Sequence, residues 1–392
     1  MARTPTVADV DFMLDPLPGP SLHEVLRRAR EQGPVVPVTA LGRPAYLLTT
    51  YPMSREYLAA QDEFPGGVFY EMSTRPHIGN TLINLDGPPH DTFRQLATPV
   101  FRSRAVARFV DAELTPLAHE VVDRFASRGH GDLATELAQV LPFWAISRKL
   151  GLPLGSEERQ RRFALDLLNY PGDPQGALAA ADEVTAFLAP IVEERRREPR
   201  DDVISHLLSA EHHGERFGDE EVFSHVRLIY AVGATTTSDG LSTLLRTILH
   251  TPGLLRRLRD DRTLVPHVVQ ESLRVEPPVS ILPRIAPNGG VLAGVELPPG
   301  ALVLCAIASA NRDATVFEDP DRFEPERDES EILTFGFGSK FCPGSHLARQ
   351  QLAAALDVVL DRLPGLHAVH ATEPEGAVLR RVEHLHAVWD AR

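Results

Sequence analysis

The sequence predicts a mainly α fold with a minor β region, an α+β class in which helices dominate. Three observations carry this. Residues 103–250 are predominantly helical in pattern, with apolar side chains at 3.6-type spacing through Asp132–Leu150, Ser156–Asn169, Gly176–Arg197 and Asp202–Ala210, and a long helix from Asp219 to His250. Near the N-terminus, Val35–Val38 and Ala45–Thr50 are β-rich and flank a turn at Leu41-Gly42-Arg43-Pro44. The tail from Pro364-Gly365-Leu366 to Trp389 reads as a closing hairpin with its turn near Arg381–Leu385.

Taken in order, a first helix is expected from Ser21, with Glu24 completing a capping box, and it stops at Gly33-Pro34. A short helix spans about Met53–Ala60. Residues 62–84 show no clear period and contain Pro65-Gly66-Gly67 and Pro76; a long irregular stretch in a compact protein is usually functional or mobile. Pro88 and Pro89 then open a helix on which His90 and Arg94, four apart, share one face, an arrangement suited to an anionic partner. Tyr170-Pro171-Gly172-Asp173-Pro174 breaks two helices apart. Arg195-Arg196-Arg197, flanked by Glu193, Glu194 and Glu198, reads as a solvated helix end. His212-His213 sits in a Gly-containing turn without metal-ligand spacing and reads as exposed loop.

Within the long helix stand Gly233, Thr235, Thr236 and Thr237, poor helix formers whose retention implies a local reason. Threonine hydroxyls bond back to the i−4 carbonyl and open a helix to water or a ligand. Downstream, Glu271 and Arg274 are three apart on a helix, a spacing common for surface pairs. Val279–Arg284 reads as a strand entry, and Cys305, in the apolar run Ala301–Ile307, as core.

The most specific stretch is Phe335-Gly336-Phe337-Gly338-Ser339-Lys340-Phe341-Cys342-Pro343-Gly344, followed by an alanine-rich helix from Ser345 to about Leu363. A cysteine ahead of a helix start receives backbone N–H groups and the positive end of the helix dipole, which favour the thiolate. Gly338 and Gly344 are expected to permit positive φ and close backbone approach. A lone cysteine is more often a small buried hydrophobe; five coinciding positions in Phe-Gly-x-Gly-x-x-x-Cys-x-Gly are much more specific. The loop resembles the haem-binding loop of the cytochrome P-450 family of haem-thiolate monooxygenases, soluble bacterial type, and the likeness extends from about residue 20 to 390.

That resemblance implies a single-domain cytochrome P-450-like fold over residues 21–392, with 1–20 as an N-terminal extension. It implies heme b (iron protoporphyrin IX), with Cys342 as the axial thiolate to the iron. His90, Arg94 and Arg284 fall where the family binds the propionates; Lys340 stands where a histidine commonly does so. Glu271, Arg274 and Arg322 match a structural charge triad. Phe69, Tyr70, Ile83, Val279, Ile281 and Leu282 are expected to contact substrate. The helix motif Gly-x-Asp/Glu-Thr places the threonine that positions oxygen and its protons at Thr236. The acid before it is absent, and Thr235 stands there instead. Water, Asp239 one turn on, or Glu383 is then needed to relay protons, or the chemistry differs.

The expected function is insertion of one oxygen atom from dioxygen into an apolar or amphipathic small molecule, such as a secondary metabolite. Electrons are expected from a separate ferredoxin and ferredoxin reductase, since no Gly-x-Gly-x-x-Gly fingerprint or cysteine cluster is present. Two alternatives stay open: an atypical member (peroxide-driven, coupling or dehydrating), and a haem-binding sensor or carrier. A net charge of −14 argues against a nucleic-acid partner. Two cysteines suit a reducing compartment, and the acidic, proline-containing N-terminus has no long apolar run, so a cytoplasmic monomer without membrane anchor is expected.

Overall fold

Residues 7–17 lie along the first strand: the Phe12 N–H donates to Thr39 O at 3.0 Å, and the Phe12 ring is fully buried. The computed structural model describes residues 5–154, 157–169, 172–327 and 331–391. Helix α1 (Pro20–Gln32), strands β1 (Val35–Ala40) and β2 (Arg43–Leu48), and helices α2 (Tyr51–Ala59), α3 (Val68–Ser73), α4 (Arg75–Ile78) and α5 (Gly87–Ala97) follow. Glu24 does not cap α1. Pro20 occupies the first turn, where it has no N–H to cap, and the Glu24 carboxylate instead accepts from Arg27 and Arg28 at 2.8–2.9 Å. The stretch expected to be irregular contains α3 and α4, both short.

Helices α6 (Ser103–Phe109) and α7 (Thr115–Asp123), strand β3 (His130–Asp132) and helices α8 (Leu141–Leu150) and α9 (Glu157–Leu168) come next, then α10 (Pro174–Arg197), α11 (Val203–Ser209) and α12 (Asp219–His250). Asp132 was expected to start a helix and instead ends β3. Its Oδ1 accepts from the N–H groups of Ala134 and Leu385, which fixes the strand to the C-terminal hairpin. Ser156, Tyr170 and Pro171 of the expected helix start and break lie outside the described residues. Arg195 is not solvated: it is buried, its Nε bonds Asp202 at 2.5 Å and its Nη2 donates to Gly151 O, tying α10 to the start of α11. Arg196 and Arg197 are the exposed members of that run.

Helices α13 (Leu254–Asp260) and α14 (Val265–Val275) lead to β4 (Leu282–Ala286), the hairpin β5 (Gly290–Leu292) and β6 (Val295–Leu297), β7 (Ala301–Cys305), α15 (Ile307–Ala310), α16 (Ser345–Arg362), β8 (His367–Ala371) and β9 (Leu385–Val388). One sheet has the order β1-β2-β7-β4, with β2 and β7 parallel and Leu47 opposite Leu304. A second sheet, β3-β9-β8, closes the tail onto the helical body. The main core lies among the helices, and α12 runs through it; Leu241, Leu273 and Leu352 belong to it. A smaller core under the first sheet joins Phe12, Leu22, Leu47 and Leu304, and it includes Ile281.

Between α15 and α16 the chain is held by α14. Glu271 and Arg274 are fully buried and form two bonds of 2.7 Å. Arg274 also donates to the carbonyls of Asn311, Pro320 and Arg322, and Glu271 accepts from the Glu324 N–H. The second arginine of the triad is not Arg322, whose side chain is 68% exposed and pairs with Glu324. Arg327, 11% exposed, approaches Glu271 at 3.5 Å. The segment turns at Asp319, so Arg322 enters the network through its carbonyl alone and the guanidinium five residues on points inward. Arg274→Ala is expected to cost about 3–5 kcal/mol by stranding the Glu271 charge, whereas Arg322→Ala is expected to stay within about 0.5 kcal/mol. Denaturant unfolding of the two variants measures the difference.

Candidate functional site

The cysteine loop is wound from its own backbone. Gly336 N–H donates to Leu333 O, Phe341 N–H to Gly338 O, and Cys342 N–H to Phe335 O at 2.9 Å. The positive φ values fall on Gly336 (74°) and Gly338 (72°). Gly344 has φ −81°, so its requirement is not left-handed backbone, and a Cβ there would lie 3.8 Å from Cys342 Sγ. The N–H groups of Gly344 and Ser345 face the sulfur at the start of α16, as the dipole argument expects. Burial nevertheless pushes the thiol up, and it outweighs those N–H groups and the nearby Arg94 and Arg349. A full thiolate here therefore needs a further partner.

Basic side chains collect beside this loop. His90 is buried; its Nδ1 meets Asp91 at 3.1 Å and its Nε2 has no partner among the described residues. Burial, then the Lys340 charge, lowers the imidazole pKa. Arg94 donates to Phe341 O at 2.7 Å, inside the loop itself. Arg284, on β4, donates from Nη1 to Pro283 O and stands over the Tyr70 ring at 5.5 Å, while its Nε has no partner among the described residues. Lys340 is engaged otherwise: its ammonium meets Asp86 at 3.3 Å and the carbonyls of Leu82 and Leu85. Burial and the charges of Arg284 and Arg94 lower its pKa, against the pull of Asp86.

Helix α12 packs against α8, α9 and α16. Gly233 has a packing reason, since a Cβ there would lie 3.0 Å from Ile146 Cδ1 of α8. Thr235, Thr236 and Thr237 each donate to the i−4 carbonyl, at 2.9, 2.9 and 3.0 Å. The helix divides them. Thr236 belongs to a different face from Thr235, which lines a cavity of about 240 Å³ together with Ser238, Asp239 and Ser242. Leu165 and Leu168 of α9, Phe143 of α8 and Leu379 and Val382 of the tail supply apolar wall, and Arg161 and Arg381 bring charge. The tail thus reaches the cavity as expected, but with its tip nearer Gly376 than Leu385.

Two acids line this cavity, Glu375 of the tail and Asp239 of α12. Among the described residues the Asp239 carboxylate makes no hydrogen bond and no ion pair, and burial pushes it up to about 7 against the pull of Arg381 and Arg161. Glu383, the other acid considered, is half exposed and lies 3.8 Å from Arg381. Phe69, Tyr70 and Ile83 are half-buried, and Tyr70 reaches Arg284. Val279 bridges to Leu379, but Ile281 is fully buried in the smaller core and faces away from this site.

A model of the cytochrome P450 family matches residues 162–364. Cyclomarin C epoxidase CymV of Salinispora arenicola is 33% identical over 355 residues, covering 88% of this chain and 89% of that one. The chain belongs to the cytochrome P450 family. Mycinamicin IV hydroxylase/epoxidase of Micromonospora griseorubida is 31% identical over 360 residues, 89% of this chain and 90% of its own. The solved structure of cytochrome P450 CYP109Q5 from Chondromyces apiculatus matches with a TM-score of 0.88 at 27% identity, covering 98% of this chain and 99% of that one. This P450 is thus an oxidoreductase of the monooxygenase type, and its family implies a haem. No helix among the described residues is long and apolar enough to cross a membrane.

The sequence did not reveal Arg161, Gln139 and Phe143 as cavity residues, since helical periodicity marks which face is apolar and not which cavity it meets. Because Asp239 ionises near pH 7 in the fold and near 3.8 when free, the unfolded chain gives up its proton first. Stability therefore falls between about pH 4 and 7 and the cost is complete above that. Asp239→Asn is expected to raise the melting temperature more at pH 8 than at pH 5, and equal shifts at both would refute the burial argument.

Proposed function

We propose that this P450 uses heme b, held through Cys342, to insert one oxygen atom into an amphipathic small molecule of the secondary-metabolite kind. The observation that carries the reading is the cluster of basic side chains beside a cysteine loop. His90, Arg94 and Arg284 converge there, with His90 Nε2 and Arg284 Nε lacking partners among the described residues, and the Arg94 and Arg284 charges gathered in a partly buried space need an anionic group between them. Two propionates fit that need, and the Sγ at a helix start fits an iron ligand. Lys340, already engaged by Asp86, adds charge at longer range. When bound, the haem supplies the redox centre at which dioxygen is reduced and split.

In this reading the residues of α12 handle protons. Thr236 turns its hydroxyl from Val232 O toward the reacting oxygen and positions a proton there. Thr235 does not ionise, so Asp239, on the same face one turn on, holds the proton that passes along the Thr235 side of the helix. The cavity wall, part leucine and part arginine and aspartate, supports an amphipathic substrate over a wholly apolar one. Two relatives are named for hydroxylation or epoxidation of mycinamicin IV and cyclomarin C, which supports a secondary metabolite. Two free cysteines are too few for a cluster with four thiolates, so electrons are taken from a separate ferredoxin and its reductase, in the cytoplasm. The competing reading, an atypical peroxide-driven, coupling or dehydrating enzyme, is favoured by Thr235 alone.

The ligand assignment is tested by the reduced carbon monoxide complex. Wild type is expected to give the Soret band of a thiolate-ligated haem and Cys342→Ser to lose it; retention of that band in the variant would reject Cys342. The proton route is tested by product formed per electron consumed. Asp239→Asn is expected to lower this coupling about 10²-fold or more, the scale of a lost general acid, and Thr235→Glu to restore it in that background. Unchanged coupling in Asp239→Asn, with normal haem content, would favour the competing reading.

A further inference from the structure

Apart from this site, the second sheet gathers three histidines and one aspartate. Asp132 of β3 is opposite His386 of β9, and His386 is opposite His370 of β8, so the three side chains stand at one register position across the sheet. His384, two residues before His386, joins them on the same face: its ring lies 5.7 Å from that of His386 and tilts from it by only 5°. One ligand atom each from Asp132, His384 and His386 lie within 4.8 Å of one another.

We infer that Asp132, His384 and His386 form a binding site for a divalent transition cation, zinc foremost. The donor set is two imidazoles and a carboxylate, which suits zinc with a water in the fourth position. The carboxylate is set in advance. Its Oδ1 is held by the N–H groups of Ala134 (3.0 Å) and Leu385 (2.8 Å), which leaves Oδ2 directed at the histidines. Such anchoring of a ligand's second atom is what orients a metal carboxylate. His384 Nδ1 already lies 2.8 Å from Oδ2, and a hydrogen bond accounts for that histidine without a metal. It does not account for His386, whose side chain makes no hydrogen bond among the described residues and is exposed between two other rings. A tetrahedral zinc with bonds of ~2.0–2.2 Å spaces its ligand atoms about 3.4 Å apart, so small side-chain rotations complete the site. The ion would pin β9 to β3 just beyond Val382, which lines the cavity beside α12.

The test is calorimetric titration of zinc ion into the haem-loaded protein at neutral pH. One saturable equivalent is expected, weakened about 10- to 100-fold in His384→Ala and in His386→Ala. The His212→Ala/His213→Ala double variant controls for the edge-to-face histidine pair of the α11–α12 loop and is expected to bind as wild type. Asp132→Asn risks the fold because Asp132 anchors β9, so the test relies on the two exposed histidines. Absence of binding by wild type, or wild-type affinity in the His384→Ala/His386→Ala double variant, would overturn the inference.

Discussion

The placement of Cys342 depends on an ion pair in another part of the molecule, Glu271 with Arg274. Between Asn311 and Gly344 the described residues have little repeating backbone structure, and where the segment enters the interior, at Asn311–Asp313, Phe317 and Ile332–Leu333, its peptide groups need partners. Arg274 presents five donors in a rigid fork, and three carbonyls of this segment accept from it. Asn311, fixed by that contact, accepts from the Leu333 N–H through its side chain and donates to Thr334, which in turn donates to Leu273 O on α14. Leu333 O then accepts from Gly336 and begins the cysteine loop. The loop's position is thus transmitted from α14 by hydrogen bonds in series. An isolated Glu–Arg pair at this spacing is worth little on a helix surface; here both side chains are fully buried, and they are the counter-groups for the backbone of an irregular segment.

The same contrast explains what was legible in the sequence. Helix α12 spans the expected Asp219–His250, and its ends carry local signals: acidic Asp219, Glu220 and Glu221 follow Gly218, and a Thr-Pro pair follows His250. The β1–β2 hairpin, the cysteine loop and α16 were equally plain, each carried by local turn chemistry. What failed was the direction of side chains in segments without period. Arg322 and Arg327 differ in which way a turn at Asp319 points them, and no spacing rule covers that. Ile281 joins the smaller core while Leu282, the next residue, packs against the main one, so its neighbours in sequence could not tell which side it took. Arg195 looked solvated inside a charged run because its partners, Gly151 and Asp202, lie beyond it in other segments.

Polarity beside α12 was hidden for a related reason. Arg161, Asp239 and Arg381 come from three separate segments, and the cavity exists only where the tail folds back across α9 and α12. Once they meet, the absent acid at position 235 takes on a different meaning. Four residues along a helix advance about 6 Å and turn about 40° past a full turn, so Asp239 keeps the face of Thr235 while moving one turn toward the arginines. Those arginines oppose the rise in its pKa, and burial still holds it near 7. A carboxyl fully paired to a guanidinium would stay ionised and give up no proton. Half-buried at the cavity wall that Thr235, Ser238 and Ser242 also line, the Asp239 carboxyl is pushed up to about 7. Under the proposed function, Asp239 is the acid that α12 offers in place of the one missing at position 235, displaced one turn along the helix and lining the same cavity as Thr235.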